Sequence, residues 1–282
     1  MSARVIAVSS NKGGVLKTSV TTNLAGVLAN KGKRILIVDM DPQSNVALTF
    51  GINPDEFDEK VKHTIFDLLT AEEEIEPTTA IVTVDKNIDL MATNDDMIAF
   101  EFTVLENIQK FSIEKRFLLL KGIIDPLREL YDFIFIDTPP NLGLTQGNVL
   151  AATDGLIIPF QPETYSMRSL LKSIRVFSEF KEEINGNLEV IGIVPTMVKE
   201  NTMIHRNIIV MLREYGQING IKIARNHIPN SIQYASSVGY EERPITIAKP
   251  KDRLAKVYID LEKELNLLGG YRRGQTTEKT TF

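Results

Sequence analysis

The sequence predicts an α/β protein with a doubly wound, mostly parallel sheet and helices on both faces. Six short apolar runs typical of strands alternate with segments of helical apolar spacing, a pattern that builds parallel sheets from βαβ units. Two of these runs, 35–38 and 133–136, are apolar at every position, as expected for strands buried on both sides. We therefore expect these two strands at the centre of the sheet. The six runs are 5–9, 35–39, 88–92, 133–137, 155–160 and 190–195.

The chain length and composition are those of an ordinary globular protein. Its 282 residues are 43% hydrophobic and carry 32 Lys and Arg against 37 Asp and Glu, a formal net charge of −5. Because there is no internal repeat or low-complexity linker, we predict a single domain over residues 1–270. Residues 271–282 are polar and lack apolar periodicity, which predicts a flexible tail.

Composition also excludes several classes of site. Cysteine is absent, so the chain has no disulfide, no thiolate nucleophile and no thiolate ligand for zinc or an iron-sulfur cluster. No apolar run approaches the ~20 residues of a membrane-spanning helix. The first ten residues lead into a strand instead of a signal peptide, so we expect a cytoplasmic protein.

A glycine-containing turn follows the first predicted strand and precedes a segment of helical spacing. Such a turn directs backbone N–H groups and the helix dipole at one point, where a phosphate fits. Lys17 would reach the β- and γ-phosphates, and the Thr18 hydroxyl would bind Mg²⁺. The alternative is an ordinary strand-to-helix turn. The residues expected to surround the phosphates are Asn11, Lys12, Gly13, Gly14, Val15, Leu16, Lys17, Thr18 and Ser19.

The general phosphate-loop pattern G-x-x-x-x-G-K-[ST] is not met in this turn. Asn11 and Leu16 stand where that pattern has its two glycines. A positive φ costs a residue such as leucine about 1 to 2 kcal/mol, so we expect the loop to be built without a positive φ at Leu16.

The segment Lys12-Gly13-Gly14-Val15-Leu16-Lys17-Thr18-Ser19 resembles the deviant Walker A motif of the ParA/MinD superfamily of P-loop ATPases. The resemblance implies a P-loop NTPase fold with ATP and Mg²⁺ as ligands. In that family an early signature lysine, here Lys12, reaches the phosphates of the partner subunit in a homodimer that sandwiches ATP. The position of Leu16 varies in the family. Two lysines five residues apart around a Gly-Gly turn need not both contact one triphosphate from the same chain, and a dimer resolves that geometry.

Two carboxylates follow the second predicted strand, in Asp39-Met40-Asp41-Pro42-Gln43. Ligands of open parallel sheets collect at the carboxyl ends of strands, so these side chains should face the phosphate loop. ATP hydrolysis needs a group that orients a water molecule or accepts its proton. The segment is similar to the second motif of the family, in which the water-orienting position corresponds to Asp41. For Asp39 we expect a structural or Mg²⁺-linked role, and for both residues the alternative is a cap at a strand end.

The fourth apolar run ends in Asp137-Thr138-Pro139-Pro140-Asn141. Four apolar residues and an aspartate make a Walker B element, which holds Mg²⁺ through a water molecule. The whole segment resembles the Walker B and switch segment of the family, with Asn141 in place of the serine often found there. Further on, 228–230 resembles the base-contacting loop, so Pro229 and Asn230 are candidate adenine contacts. The resemblance covers roughly residues 3 to 265.

Charge is distributed unevenly along the chain. Residues 53–101 contain 14 acidic and 3 basic side chains, whereas 199–256 contain 10 basic and 5 acidic ones. The acidic block is a solvated face or, as the alternative, a surface on which a partner docks. The basic stretch is the candidate for binding DNA phosphates, with scattered solvated charges as the alternative. The predicted DNA contacts are Lys199, Arg206, Arg213, Arg225, Arg243, Lys249, Lys251 and Arg253.

Two further sets of residues carry local predictions. Lys199, Arg206 and Arg213 recur every seven residues on a predicted helix, so they should project from one side. The helically spaced apolar set Phe100, Phe102, Leu105 and Ile108 is predicted to lie in the core. His63, His205 and His227 share no ligand spacing, so we expect no metal site from them.

Within the superfamily the resemblance favours a DNA-partition ATPase. Reductase-type and arsenic-pump relatives use cysteines, and 271–278 has no apolar face of the kind that anchors MinD to membranes. The predicted protein is a Mg²⁺-dependent ATPase in the cytoplasm, associated with the nucleoid. Its ATP-bound homodimer would bind double-stranded DNA non-specifically, and a ParB-like centromere-binding protein would stimulate hydrolysis. The alternatives are a MinD-like positioning ATPase or nucleotide-gated scaffold that does not bind DNA, and a biosynthetic ligase.

Overall fold

The structure is a computed structural model that describes residues 2–107, 112, 115–231 and 239–269. The predicted tail, 271–282, and the predicted core residue Ile108 lie outside the described residues.

The described elements alternate along the chain as the sequence predicts. The strands are β1 (Arg4–Val8), β2 (Ile35–Asp39), β3 (Ile81–Asp85), β4 (Ile88–Met91), β5 (Phe133–Asp137), β6 (Gly155–Phe160) and β7 (Glu189–Pro195). The α-helices are α1 (Lys17–Asn30), α2 (Asn45–Thr49), α3 (Phe57–Lys60), α4 (Ile65–Thr70), α5 (Phe100–Glu106), α6 (Leu119–Leu127), α7 (Leu144–Ala152), α8 (Ser166–Glu183), α9 (Met203–Asn219), α10 (Ile245–Ala248) and α11 (Arg253–Leu265). Short 3-10 helices cover Pro54–Glu56, Pro77–Ala80, Asp95–Ala99 and Lys115–Phe117.

The seven strands form one sheet in the order β3-β4-β2-β5-β1-β6-β7. Every neighbouring pair is parallel except β3 and β4, which are antiparallel. The predicted doubly wound α/β fold is therefore confirmed, with β2 and β5 next to each other inside the sheet. Strand β3 was not predicted, although Ile81, Val82 and Val84 are β-branched residues that favour strands.

Side chains alternate between the two faces of each central strand, and both faces are covered. In β1, Val5 and Ala7 belong to the core cluster that helices α4 to α9 complete, whereas Ile6 and Val8 belong to the cluster under α1, α2, α10 and α11. A strand buried on both faces requires apolar residues at consecutive positions. The sheet thus separates two cores and leaves its carboxyl edge open for the loops of the candidate site.

Part of the predicted core on α5 is wrong. Phe100 is fully buried, but Phe102 and Leu105 are 70% and 50% exposed. Helix α5 has only seven residues, and the side chains that face the core are Phe100 and Val104, one helical turn apart. Phe102 and Leu105 therefore project to the opposite side.

A buried ion pair ties the start of β1 to the loop before β6. Arg128 Nη1 lies 2.6 Å from Asp154 Oδ2, and each side chain is only 4% exposed. The guanidinium also donates to the backbone oxygens of Ala3 and Ala152, and Asp154 Oδ2 accepts the Val5 N–H at 2.8 Å. Removing Arg128 leaves the buried Asp154 carboxylate without a cation, whereas removing Asp154 leaves the buried guanidinium with only the partly exposed Asp125, 2.9 Å from its Nε.

Asp154→Ala is expected to lower the free energy of unfolding by about 3 to 5 kcal/mol, the cost of breaking a buried pair on one side. Urea unfolding followed by circular dichroism measures it. The matched control is Asp260→Ala, whose partner Lys263 is 64% exposed at 3.6 Å, and which should cost at most about 1 kcal/mol. Equal losses for the two variants would contradict the structural role of the Arg128 pair.

Candidate functional site

The loop between β1 and α1 carries the strained backbone expected of a phosphate site. Gly14 has φ +71° and Leu16 has φ +68°, both in the left-handed region. The expectation that Leu16 avoids a positive φ is therefore wrong. The side chain of Leu16 packs on the core cluster under α1, and its carbonyl accepts the Val20 N–H at 2.9 Å as the first bond of the helix. These contacts hold a conformation that costs roughly 1 to 3 kcal/mol, a kind of strain that concentrates at functional sites.

Lys17 opens helix α1 and is 7% exposed. Its Nζ donates to the backbone oxygen of Lys12 at 3.3 Å, so the ammonium group lies over the loop and not in solvent. Burial lowers the pKa of Lys17, and the nearby carboxylates of Asp137 and Asp41 oppose that shift. The side-chain nitrogen of Lys17 thus lies at the loop, with the carboxylates of Asp137 and Asp41 nearby.

Asp137 ends β5 with its carboxylate in contact with two hydroxyl groups of α1. Thr18 Oγ1 donates to Asp137 Oδ2 at 2.5 Å, and Thr21 Oγ1 donates to Oδ1 at 3.1 Å. Burial raises the pKa of Asp137 to about 6, against the hydrogen bond from Thr18 and the charge of Lys17, which lower it. The site is therefore one in which an additional cation would be stabilised.

Asp39 and Asp41 reach the same place from the neighbouring strand. Asp39 pairs with Asp137 in the register of β2 and β5. Its two oxygens accept the N–H groups of Asp41 at 3.0 Å and Val46 at 3.2 Å, which favours the structural part of its predicted role. Burial, with Asp137 beside it, raises the pKa of Asp39 well above its usual range. Asp41 is 8% exposed, and its Oδ1 accepts the Gln43 N–H at 3.1 Å.

The carboxyl edge of the sheet therefore brings together the predicted loop, Lys17, Thr18, Asp41 and Asp137. Across the described residues, no three or more His, Asp or Glu side chains could enclose a metal ion by themselves. Mg²⁺ at a nucleotide site is held by one or two protein oxygens, with water and phosphate oxygens as its other ligands. The hydroxyl of Thr18 beside the carboxylate of Asp137 fits that requirement. A triphosphate would find Lys17 and the backbone N–H groups of the loop next to these oxygens.

Lys12 points away from this cluster. Its Nζ lies 2.5 Å from Glu163 Oε2, in a pair whose side chains are 32% and 51% exposed. The pair borders a cleft of about 740 Å³ between the starts of α8 and α9, lined also by Tyr165, Lys199 and His205. Lys12 and Lys17 thus have different partners within one chain. That the two lysines need not both contact one triphosphate from the same chain stays a prediction.

The candidate adenine loop lies beside the end of β7. Val198 donates its N–H to the oxygen of Ile228 at 3.1 Å and accepts the N–H of Asn230 at 3.2 Å. This pairing fixes Pro229 and Asn230 next to the chain that leaves the sheet. Their contact with adenine stays a prediction.

Some of the predicted DNA-binding side chains are exposed, and others form ion pairs with carboxylates of this chain. Arg206 and Arg213 are exposed on α9, but Lys199 precedes that helix, so the expected seven-residue stripe on one helix is wrong for Lys199. Arg243 and Lys249 lie 3.1 Å and 2.9 Å from carboxylate oxygens of Asp85 and Glu241. Three further side chains of the set, those of Arg225, Lys251 and Arg253, are exposed.

Two functional candidates were missed at the sequence level. Thr21 shares the carboxylate of Asp137, and Glu163 pairs with Lys12. Glu163 lies three residues beyond the end of β6, so the rule that ligand-binding groups follow parallel strands could have found it. Thr21 lies one helical turn after Lys17, a spacing that places both on one face of α1.

Comparison with known proteins identifies the family. The model of a protein family described as AAA domain matches residues 3–190. A ParA family protein of Mycoplasma genitalium is 30% identical over 277 residues, which cover 95% of this chain and 98% of the relative. The chain belongs to the ParA family. The sequence resemblance to ParA/MinD ATPases is thereby confirmed.

Similarity to other known proteins also extends over most of the chain. The chromosome partitioning protein ParA of Myxococcus xanthus is 28% identical, covering 93% of this chain and 87% of the relative. A crystal structure of cobyrinic acid a,c-diamide synthase from Mycobacterium smegmatis, with bound ADP and magnesium, has a TM-score of 0.76 and 25% identity. It covers 94% of each chain. None of the helices that the structure describes is long and apolar enough to cross a membrane.

Proposed function

We propose that this chain is a magnesium-dependent ATPase of DNA partition. Its ATP-bound homodimer binds duplex DNA without sequence preference, in the cytoplasm and on the nucleoid, and a ParB-like centromere-binding partner stimulates hydrolysis. The observation that carries the proposal is the convergence of Lys17, Thr18, Asp41 and Asp137 on the strained loop. Membership of the ParA family and similarity to a chromosome partitioning protein support the biological role.

Each residue of the site has a chemical task in hydrolysis. Lys17 and the loop N–H groups bind the phosphate oxygens, with the anion at the N-terminus of α1. Thr18 and Asp137 hold Mg²⁺, which when bound neutralises charge on the phosphates. Asp41 orients the attacking water or accepts its proton, as a carboxylate beside the phosphate loop can do.

Lys12 acts across the dimer. Within one chain its ammonium group is paired with Glu163 and directed out of the loop. An exposed ion pair of this kind holds its partners weakly, so a phosphate of a second subunit can replace Glu163. ATP would thus complete its binding site only when two chains meet, and this makes the dimer dependent on nucleotide.

DNA binding is expected to depend steeply on salt and on nucleotide. If each chain supplies about 2 to 3 phosphate contacts, the dimer supplies twice that number. The logarithm of the affinity then falls by ~0.9 per contact for each unit of log salt concentration. Arg206→Ala/Arg213→Ala should weaken binding and reduce this slope, because both side chains are exposed on α9. Fluorescence anisotropy with duplexes of unrelated sequence, with ATP, with ADP and without nucleotide, measures these quantities.

The control for this experiment is Lys33→Ala/Arg34→Ala, which removes two exposed cations outside the basic stretch. Its affinity for DNA should equal that of the wild type. Equal affinity in all three nucleotide states, or a flat salt dependence, would refute ATP-switched DNA binding. An unchanged Arg206/Arg213 variant would refute the assignment of α9.

A ligase is the second candidate, because of the similarity to cobyrinic acid a,c-diamide synthase. Such an enzyme consumes ATP only in the presence of a small carboxylic acid or amine. ATP hydrolysis stimulated by DNA and a protein partner, without either small molecule, would decide for partition. ATP-dependent retention on liposomes instead of DNA would favour a MinD-like positioning ATPase.

A further inference from the structure

An exposed apolar stripe runs along α5 and the 3-10 helix before it. The α5 stripe consists of Ile98, Phe102 and Leu105, which are 64%, 70% and 50% exposed. Their spacing of four and three residues places them on one side of the helix. Large apolar side chains grouped on one exposed face are typical of an interaction surface, unlike apolar side chains that are scattered singly.

The residues next to the α5 stripe in the sequence are acidic. Residues 95–106 contain four carboxylates and no basic residue. Asp95, Asp96 and Glu106 are exposed, and in the described part of the chain no cation forms an ion pair with them. The stripe also lies at the end of the acidic block 53–101. A partner that covers it must therefore be apolar along one side and positively charged around that side.

The same helix contacts α7, the helix that follows the Asp137 segment. Glu101, between the stripe residues on α5, directs its carboxylate at the first turn of α7, where Oε1 accepts the Thr145 N–H at 3.4 Å. The carboxylate packs closely against Gly143, where a Cβ atom would lie 2.1 Å from Glu101 Oε1 and would displace the carboxylate. The N-cap Gly143 has no side chain to bond this helix end, and a carboxylate from elsewhere stabilises it.

Helix α7 connects Glu101 to the residues that handle nucleotide. It begins shortly after 137–141, the segment that carries Asp137. Its Gln146 Oε1 also accepts the hydroxyl of Ser9, at the start of the phosphate loop, at 3.2 Å. A shift of α5 would therefore reach both the Asp137 segment and the phosphate loop through contacts that already exist.

We infer that the α5 stripe is the docking site of a basic amphipathic helix of a partner protein, and that docking acts on the nucleotide site through Glu101. A second copy of this chain fits poorly, since a two-fold contact would bring two sets of carboxylates together. Duplex DNA is repelled by the same charges. The effect on hydrolysis rests on the proposed ATPase function, whereas docking does not.

Docking is tested with synthetic fluorescent peptides and the full, nucleotide-free chain. The first peptide has 18 residues, with Leu at positions that form one helical face and Lys elsewhere. The second has the same composition in scrambled order, and the third carries Glu in place of Lys. Fluorescence anisotropy should show that only the first binds, and that Phe102→Ser/Leu105→Ser weakens it at least tenfold.

Two further variants make the result specific. Val210→Ser/Ile218→Ser removes apolar side chains of α9 that are 53% and 82% exposed, and should bind the peptide like the wild type. Asp95→Lys/Glu106→Lys leaves the apolar residues in place and reverses the flanking charge, so it should also weaken binding. Equal binding of the scrambled peptide, or unchanged affinity in both α5 variants, would overturn the proposal. ATP-dependent dimerisation lost in Phe102→Ser/Leu105→Ser alone would identify the stripe as a self-association surface instead.

The connection to the nucleotide site is tested by ATP turnover. The amphipathic peptide should change the hydrolysis rate of the wild type, while Glu101→Gln should bind the peptide with similar affinity and respond less. An equal response of Glu101→Gln would overturn the route through Glu101. Absence of ATP turnover in the wild-type chain would refute the proposed function. The peptide binding measurements would still test whether the α5 stripe is a docking site.

Discussion

Lys17→Ala is expected to abolish tight ATP binding. The ammonium group is the cation held over the phosphate loop, 3.3 Å from the Lys12 oxygen and beside the carboxylates of Asp41 and Asp137. Two charge-assisted hydrogen bonds to phosphate contribute about 3 kcal/mol or more, so the Kd for ATP should rise at least ~100-fold. Removing this cation also leaves the buried carboxylates facing the phosphates, which adds repulsion. Isothermal titration calorimetry with ATP and Mg²⁺ measures the change.

The control for Lys17→Ala is a lysine beyond the C-terminal end of α1, away from the loop. Lys33 is 39% exposed and lies 4.0 Å from Asp132, so Lys33→Ala should bind ATP like the wild type. Thermal unfolding should show that both variants are folded. Tight ATP binding by folded Lys17→Ala would refute the assignment of the phosphate site.

Much of the fold could be predicted because buried strands leave a local pattern. The continuous apolar runs of β2 and β5 correctly predicted strands inside the sheet, where each is paired on both edges. Strand β3 was missed because it lies at the sheet edge, is only half-buried and contains a register shift near Thr83. Phe102 and Leu105 were wrongly predicted to lie in the core, because helical spacing alone does not tell which face of a short helix packs against the core.

Site residues that directly follow a strand could be predicted from the sequence. Contacts between residues that are far apart in the sequence could not. The loop, Asp41 and Asp137 follow their strands directly, so strand order alone brings them together. Glu163 and Glu101 make their contacts with residues 151 and 44 positions away. The end of β6 points to Glu163 as a candidate, but no local pattern reveals the partner of either glutamate. The positive φ at Leu16 was missed for a related reason. The sequence indicates the cost of that conformation, but not the packing that offsets it.

Asp41→Ala should bind ATP and dimerise while losing hydrolysis by roughly 10²- to 10⁴-fold, the contribution of a positioned general base. The carboxylate lies near enough to Lys17 to act on its ammonium group, and its Oδ1 accepts the Gln43 N–H. Asp41→Asn keeps the acceptor for the Gln43 N–H and should be equally inactive, which separates loss of the carboxylate from disruption of the loop. Phosphate release measures turnover, and light scattering with ATP measures the dimer.

Lys12→Ala should show the reverse pattern, with ATP bound and the chain monomeric. Its ammonium group faces the cleft, away from the phosphates of its own chain, so the intrachain site keeps Lys17 and the loop N–H groups. Loss of the half-exposed pair with Glu163 changes stability little. Glu163→Gln breaks the same pair and keeps the lysine, so it should bind ATP and still dimerise. A dimeric Lys12→Ala, or a monomeric Asp41→Ala, would refute this division between a lysine that joins two chains and a carboxylate that acts on water.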